Sequence, residues 1–169
     1  GNRAIQSETL LDFFLEPSGP LGMQQNMIFI ESEVKNAVGK IRDYYRGEGF
    51  NDVKVENPLL SYSENRSGVT ITIQTEEGAK YFINDVVLTG KIIPGLAREI
   101  EKIKNDFTGK SYYVRRKLML RSSLEEVYDT IGYADAESKI NTVQLDEPGR
   151  INLIADISSG EQVRISEII

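Results

Sequence analysis

The chain has no cysteine, no histidine and no tryptophan among its 169 residues. Without thiols or imidazoles it has no thiolate nucleophile and no side chain that titrates near neutrality. It also lacks the nitrogen and sulfur ligands that zinc and other transition metals prefer. The absence of cysteine suits an oxidising compartment, where a stray thiol is a hazard, but does not fix one. Positive charge is also short: 20 Lys and Arg stand against 26 Asp and Glu, a net charge of −6. A nucleic-acid partner is therefore excluded, because phosphate neutralisation needs a basic surplus. No apolar run approaches the roughly 18 residues of a membrane-spanning helix, and no leader segment is recognisable. The expectation is a soluble piece of something longer. With 40% apolar and 27% charged residues, its composition is that of a folded domain.

Hydrophobic spacing supplies the elements. Ile5, Leu10, Leu11 and Phe14 predict a short helix with Ser7 as its start signal. The stretch 16–22 holds two prolines and two glycines and cannot continue it. From about Ser32, the residues Val34, Ala37, Val38, Ile41, Tyr44 and Tyr45 recur at spacings of three and four, giving one helical face that stops at Gly49. Val53, Val55 and Leu59 or Leu60 read as an extended strand that Pro58 marks as an edge. After a turn at 64–68, Val69, Ile71 and Ile73 alternate with Thr70, Thr72 and Gln74 as a half-buried strand closing near Gly78. A further strand is expected over 81–88. A helical stripe follows at Leu96, Ile100, Ile103 and Phe107. A second helix spans 114–131, with Leu120, Leu124, Val127 and Tyr128 inward. Strands over 136–145 and 151–157 flank a turn at 146–149, and Gly160 closes the second strand.

These elements occur twice. Tyr45, Gly49 and Phe50 form a helix end, a glycine stop and an aromatic that turns back onto the core. Tyr128, Gly132 and Tyr133 repeat that arrangement 83 positions later, and Gly160 follows Gly78 by 82. The repeat is about 80 residues; a unit of that size buries only roughly 60% of its unfolded surface and is modestly stable alone. In the same register Val163, Ile165, Ile168 and Ile169 match Tyr81, Ile83, Val86 and Val87. Gly1-Asn2 likewise matches Gly90-Lys91. The expected division is therefore 1–80 as a first repeat lacking its opening strand, 81–160 as a second, and 161–169 as the opening strand of a third. A sheet short of one strand and a strand without a sheet are expected to pair between molecules. The tyrosines and aromatics of the repeated motif, at helical spacing with Ile41 and Leu124, read as core rather than as binding residues.

The unit is thus α+β, with order β-α-α-β-β, a three-stranded mixed sheet and two helices on one face. It resembles the POTRA (polypeptide-transport-associated) repeat of BamA-like outer-membrane protein assembly factors and surface antigens. The likeness rests on three features: the Tyr45/Gly49/Phe50 and Tyr128/Gly132/Tyr133 helix ends, the alternating strands closing at Gly78 and Gly160, and the 81–90 strand leading into Gly90-Lys91. It covers essentially the whole chain. One departure stands out: Gly1 to Gly49 spans 48 residues where Gly90 to Gly132 spans 42, so the first copy carries six extra between its helices, around Pro17 to Asn26. The resemblance implies a periplasmic module without enzymatic activity, cofactor or metal, in a parent protein that ends in a membrane β-barrel. Its partners would be unfolded outer-membrane proteins or accessory assembly subunits. Two other readings stand beside it: within the same fold, the periplasmic part of a two-partner secretion transporter, and, as a different class, a purely structural spacer or division-type scaffold.

The resemblance further implies binding by strand addition at the exposed sheet edge, the second strand of the unit. Physical chemistry favours the same place, because an edge strand presents unpaired N–H and C=O groups to any extended peptide. The candidate residues are Ala136, Ser138, Ile140, Thr142 and Gln144 in the second repeat and Val53 and Val55 in the first. Pro58 removes a donor from the first edge, so the second is the better receptor. Leu21, Met23 and Met27 are candidate contacts in the long loop, since loops beyond structural need often carry function and methionine suits adaptable surfaces. Other motifs carry less. Gly109-Lys110-Ser111 is no phosphate loop, because that pattern needs a glycine where Lys104 stands. Asn65-Arg66-Ser67 fits a glycosylation pattern that turn chemistry explains equally well. The acid pairs Glu76-Glu77, Glu125-Glu126 and Asp146-Glu147 point in divergent directions and read as solvated turns or faces. Arg115-Arg116-Lys117 reads as a solvated helix start.

Overall fold

The computed structural model describes residues 1–14 and 28–168. Leu21, Met23 and Met27, the candidate loop contacts, lie outside the described residues. The chain forms two compact units, Gly1–Ala79 and Lys80–Ile169.

In the first unit a short helix α1 (Ser7–Leu11) and a long helix α2 (Glu31–Gly47) accompany four strand segments. These are β1 (Lys54–Val55), β2 (Leu59–Tyr62), β3 (Val69–Thr72) and β4 (Thr75–Glu76). The single strand expected through Val53, Val55 and Leu59 is broken in two. β2 pairs antiparallel with β3, Leu59 opposite Thr72, and β1 with β4, Val55 opposite Thr75. Between those rungs stand three residues on one side, 56–58, and two on the other, 73–74. The extra residue makes a bulge at Asn57-Pro58, where proline has no N–H to give a ladder. Val38, Ile41 and Tyr45 of α2 pack on Ile5, Phe50, Val53 and Val55 to form the core. Those helical residues belong to the stripe that the spacing predicts.

The second unit runs β5 (Phe82–Gly90), a single 3₁₀ turn (Pro94–Leu96), α3 (Ala97–Phe107), α4 (Val114–Asp129), β6 (Glu137–Gln144) and β7 (Arg150–Ser158). Its sheet has the order β5-β7-β6, with β7 parallel to β5 and antiparallel to β6. A parallel pair needs a crossover, and the two helices supply it. Along β7 the residues Ile151, Leu153, Ala155 and Ile157 are buried against Ile100, Leu120, Leu124 and Tyr128, so both helices cover one face. This is the expected α+β unit with a three-stranded mixed sheet.

Both long helices end in the same way. Gly49 (φ 103°) and Gly132 (φ 87°) take the left-handed conformation, which costs glycine little and other residues much. The next amide then turns back: Phe50 N–H donates to the Tyr45 carbonyl at 3.0 Å and Tyr133 N–H to the Tyr128 carbonyl at 3.1 Å. The rings of each pair meet edge to face, with centroids 5.7 and 6.4 Å apart. Beyond β7, residues 161–168 form no strand; the Val163 amide donates to the Gly132 carbonyl at 2.7 Å, and Val163, Ile165 and Ile168 are exposed.

Candidate functional site

β6 has β7 on one side and, among the described residues, no strand on the other. Its rungs run without a bulge from Glu137 opposite Ser158 to Gln144 opposite Ile151. The Leu145 amide donates to the Arg150 carbonyl at 3.0 Å, which is the next rung. In an antiparallel ladder, residues bonded to the partner alternate with residues whose N–H and C=O point away. Counted back from Leu145, the odd-numbered residues of β6 bond to β7. Ser138, Ile140, Thr142 and Gln144 therefore turn their backbone groups toward the open edge. The Ser138 amide agrees with this count: it donates to Glu125 Oε1 of α4 at 2.9 Å, not to β7.

Side chains follow the other alternation. Ser138 and Ile140 are buried under the helices, while Thr142 and Gln144 are exposed. Ser138 Oγ donates to the Arg121 carbonyl at 3.4 Å, and the hydroxyls of Thr142 and Tyr112 lie 3.3 Å apart. Ile140 belongs to the core cluster. What these positions offer outward is main chain. Ala136 differs from the rest, because it precedes β6 and its amide is used in a turn, donating to the Tyr133 carbonyl at 3.1 Å.

The first unit shows the same arrangement in shorter form. Val53 precedes β1 and its amide donates to the Phe50 carbonyl at 3.2 Å. Glu56 N–H donates to the Gln74 carbonyl at 3.0 Å, so the backbone of Val55 faces away from β4. Its carbonyl accepts a 3.0 Å hydrogen bond from Arg42 Nη2 of α2. Both valine side chains are buried.

Two edge contacts thus come from residues that sequence reasoning left aside, Arg42 and Glu125. Glu125 also accepts from Arg121 Nε at 2.8 Å, and its carboxylate keeps the Arg121 guanidinium firmly charged by hydrogen bonding and by its charge. Arg121 and Ser138, together with Lys91, Glu137 and Asp156, line an open depression of about 680 Å³ at the start of β6.

Residues 1–78 match the family model POTRA, described as surface antigen variable number repeat. The fold is that of POTRA repeats. The outer membrane protein assembly factor BamA of Neisseria meningitidis serogroup B is 21% identical over 140 residues, which is 83% of this chain and 18% of that protein. The crystal structure of Haemophilus influenzae BamA POTRA3-5 superposes with a TM-score of 0.55 at 18% identity, over 96% of this chain and 64% of that one. The chain therefore spans under a fifth of the curated relative and about two thirds of the solved one. In POTRA terms, β6 is the second strand of its repeat. Among the described residues, no group of three His, Cys, Asp or Glu side chains converges as a metal site, and no helix is long and apolar enough to cross a membrane.

Proposed function

We propose that the chain is a protein-binding module of an outer-membrane β-barrel assembly factor and works in the periplasm. It takes an extended segment of an unfolded outer-membrane protein, or of an accessory subunit, as an added strand along β6. The parent protein carries the membrane β-barrel. The observation that carries this reading is the row of backbone groups at Ile140, Thr142 and Gln144, which face an edge with no proline in β6. Such an edge binds main chain to main chain, so it accepts many sequences, as a receptor for varied unfolded clients must. The relationship to an assembly factor gives the reading its cellular setting. The β1–β2 edge is the poorer receptor, because it is bulged, holds Pro58 and has its Val55 carbonyl already bonded.

The test is an NMR titration of the labelled chain with a short peptide of alternating valine and threonine, flanked by lysines. The amides of Ile140, Thr142 and Gln144 are expected to shift first. Thr142→Pro is the better probe than Ile140→Pro. It removes an outward N–H without touching the ladder to β7, and Thr142 is exposed where Ile140 is core. Binding to Thr142→Pro as tight as to the wild type would overturn the proposal.

A further inference from the structure

We propose that Arg42 and Glu125 are clasps on the edge strands, each occupying the first outward backbone group and so setting where an added peptide strand can begin. This deepens the edge-docking proposal and rests on it. The two residues hold the same place in the repeat. Glu125 follows Arg42 by 83 positions, and Ser138 follows Val55 by the same 83 that separates Tyr45 from Tyr128 and Gly49 from Gly132. Each clasp lies three residues before the buried helix-end tyrosine, and each reaches the first outward-facing residue of the strand after it. Two repeats with different side chains here make the same bridge from helix to edge.

The bridge is made with opposite chemistry. Arg42 is a donor and takes the Val55 carbonyl; Glu125 is an acceptor and takes the Ser138 amide. The group left for a docking strand at that position is therefore an N–H in the first repeat and a C=O in the second. In the second repeat the carboxylate oxygen stands where the carbonyl of an added strand would otherwise bond. A hydrogen bond to an ionised group is shorter and stronger than one between neutral groups, so a peptide carbonyl does not simply displace it. Arg121 braces the carboxylate at 2.8 Å, and the Glu125 side chain is only 27% exposed, which argues against a loosely solvated acid. An added strand on β6 accordingly meets its first complete outward pair of N–H and C=O at Ile140 and runs toward Gln144, with only a carbonyl to bond at Ser138. From Glu137 to Lys139 no outward N–H is free, because those of Glu137 and Lys139 face β7 and that of Ser138 is held by Glu125.

Two valine–threonine peptides test this, one long enough to cover Ile140 to Gln144 and one long enough to cover all of β6. Glu125→Ala should tighten the long peptide about two- to tenfold, the value of one recovered hydrogen bond, and leave the short one unchanged. Glu125→Gln keeps an acceptor oxygen on a side chain of the same length but loses the charge, so it should bind the long peptide with an affinity between those of the wild type and Glu125→Ala, and the short one as the wild type does. The Ser138 amide should shift on titration with the long peptide in Glu125→Ala and stay fixed in the wild type. Equal affinity of the long peptide for wild type and Glu125→Ala, with Thr142→Pro still abolishing binding, overturns the clasp and leaves the edge proposal standing. Binding that Thr142→Pro does not weaken overturns the edge proposal, and the clasp falls with it.

Discussion

Tyr45 and Tyr128 fill equivalent places in the two units, fully buried, and use their hydroxyls differently. Tyr128 donates to the main-chain carbonyl of Lys91 at 3.0 Å. Tyr45 donates at 3.0 Å to Glu77, which also accepts the amides of Arg3 at 2.8 Å and Ala4 at 3.0 Å. A carboxylate thus ties the long helix of the first unit to the segment before α1. Burial raises the pKa of Glu77, but hydrogen bonds from the Ala4 amide, the Tyr45 hydroxyl and the Arg3 and Ile5 amides pull harder, and the net shift is below the ordinary 4.5. A depressed folded pKa means that the stabilisation is present above 4.5 and is lost as pH falls through the folded value. Glu77→Gln is therefore expected to melt below the wild type at neutral pH, with the gap narrowing in acid. A gap independent of pH, followed by thermal unfolding across that range, would refute this. The helix-end glycines make a second expectation. A Cβ on Gly132 would stand 2.8 Å from the Val163 carbonyl oxygen, on a backbone with φ 87°. Gly132→Ala should lose about 1–2 kcal/mol in urea unfolding from the left-handed backbone alone.

At the scale of the element, β6 separates two alternations that are easily confused. Val143 is 46% exposed, and exposure alone forecasts that it tolerates substitution. Its amide nevertheless faces β7, opposite Asn152. Val143→Pro should cost about 1–3 kcal/mol more than Thr142→Pro, because it leaves a partner carbonyl without its donor. Chemical denaturation of the two variants decides the point. The order of strands and helices was legible in sequence, since period-two and period-3.6 spacing are set by geometry and repeat after 83 residues. The break between β1 and β2 was not: Pro58 signals an edge, but a bulge is a mismatch of counts between two strands and shows only in register. Glu125 was read as one of a solvated acid pair because neighbours on a helix diverge. They do diverge, and that is why Glu125 reaches the Ser138 amide while Glu126 stays outside. The signal that would have found it was the shared offset of Arg42 and Glu125 from the tyrosines. Glu77 was misread for a similar reason, since its partners in residues 3–5 are distant in sequence and carry no motif.

For the whole molecule, β3 and β4 have a neighbour on one side only among the described residues. The segment 163–168 exposes Val163, Ile165 and Ile168, which match Tyr81 and the β5 residues Ile83 and Val86 in the repeat register. We expect the isolated chain to associate head to tail as concentration rises, with Ile165→Pro shifting the equilibrium toward monomer. Sedimentation velocity that shows a monomer at every concentration, in wild type and variant alike, would remove the expectation. One feature of the second unit bears on how such chains arise. Its first and last strands, β5 and β7, lie side by side and point the same way, from Phe82 beside Arg150 to Gly90 beside Ile157. The polypeptide thus leaves the sheet at the end, and with the heading, at which its opening strand left it. Duplication of the gene segment for one unit hands the next copy a correctly aimed start without rethreading what came before. Lengthening or shortening the series is then a simple genetic event, and the family model that residues 1–78 match is described by a variable number of repeats.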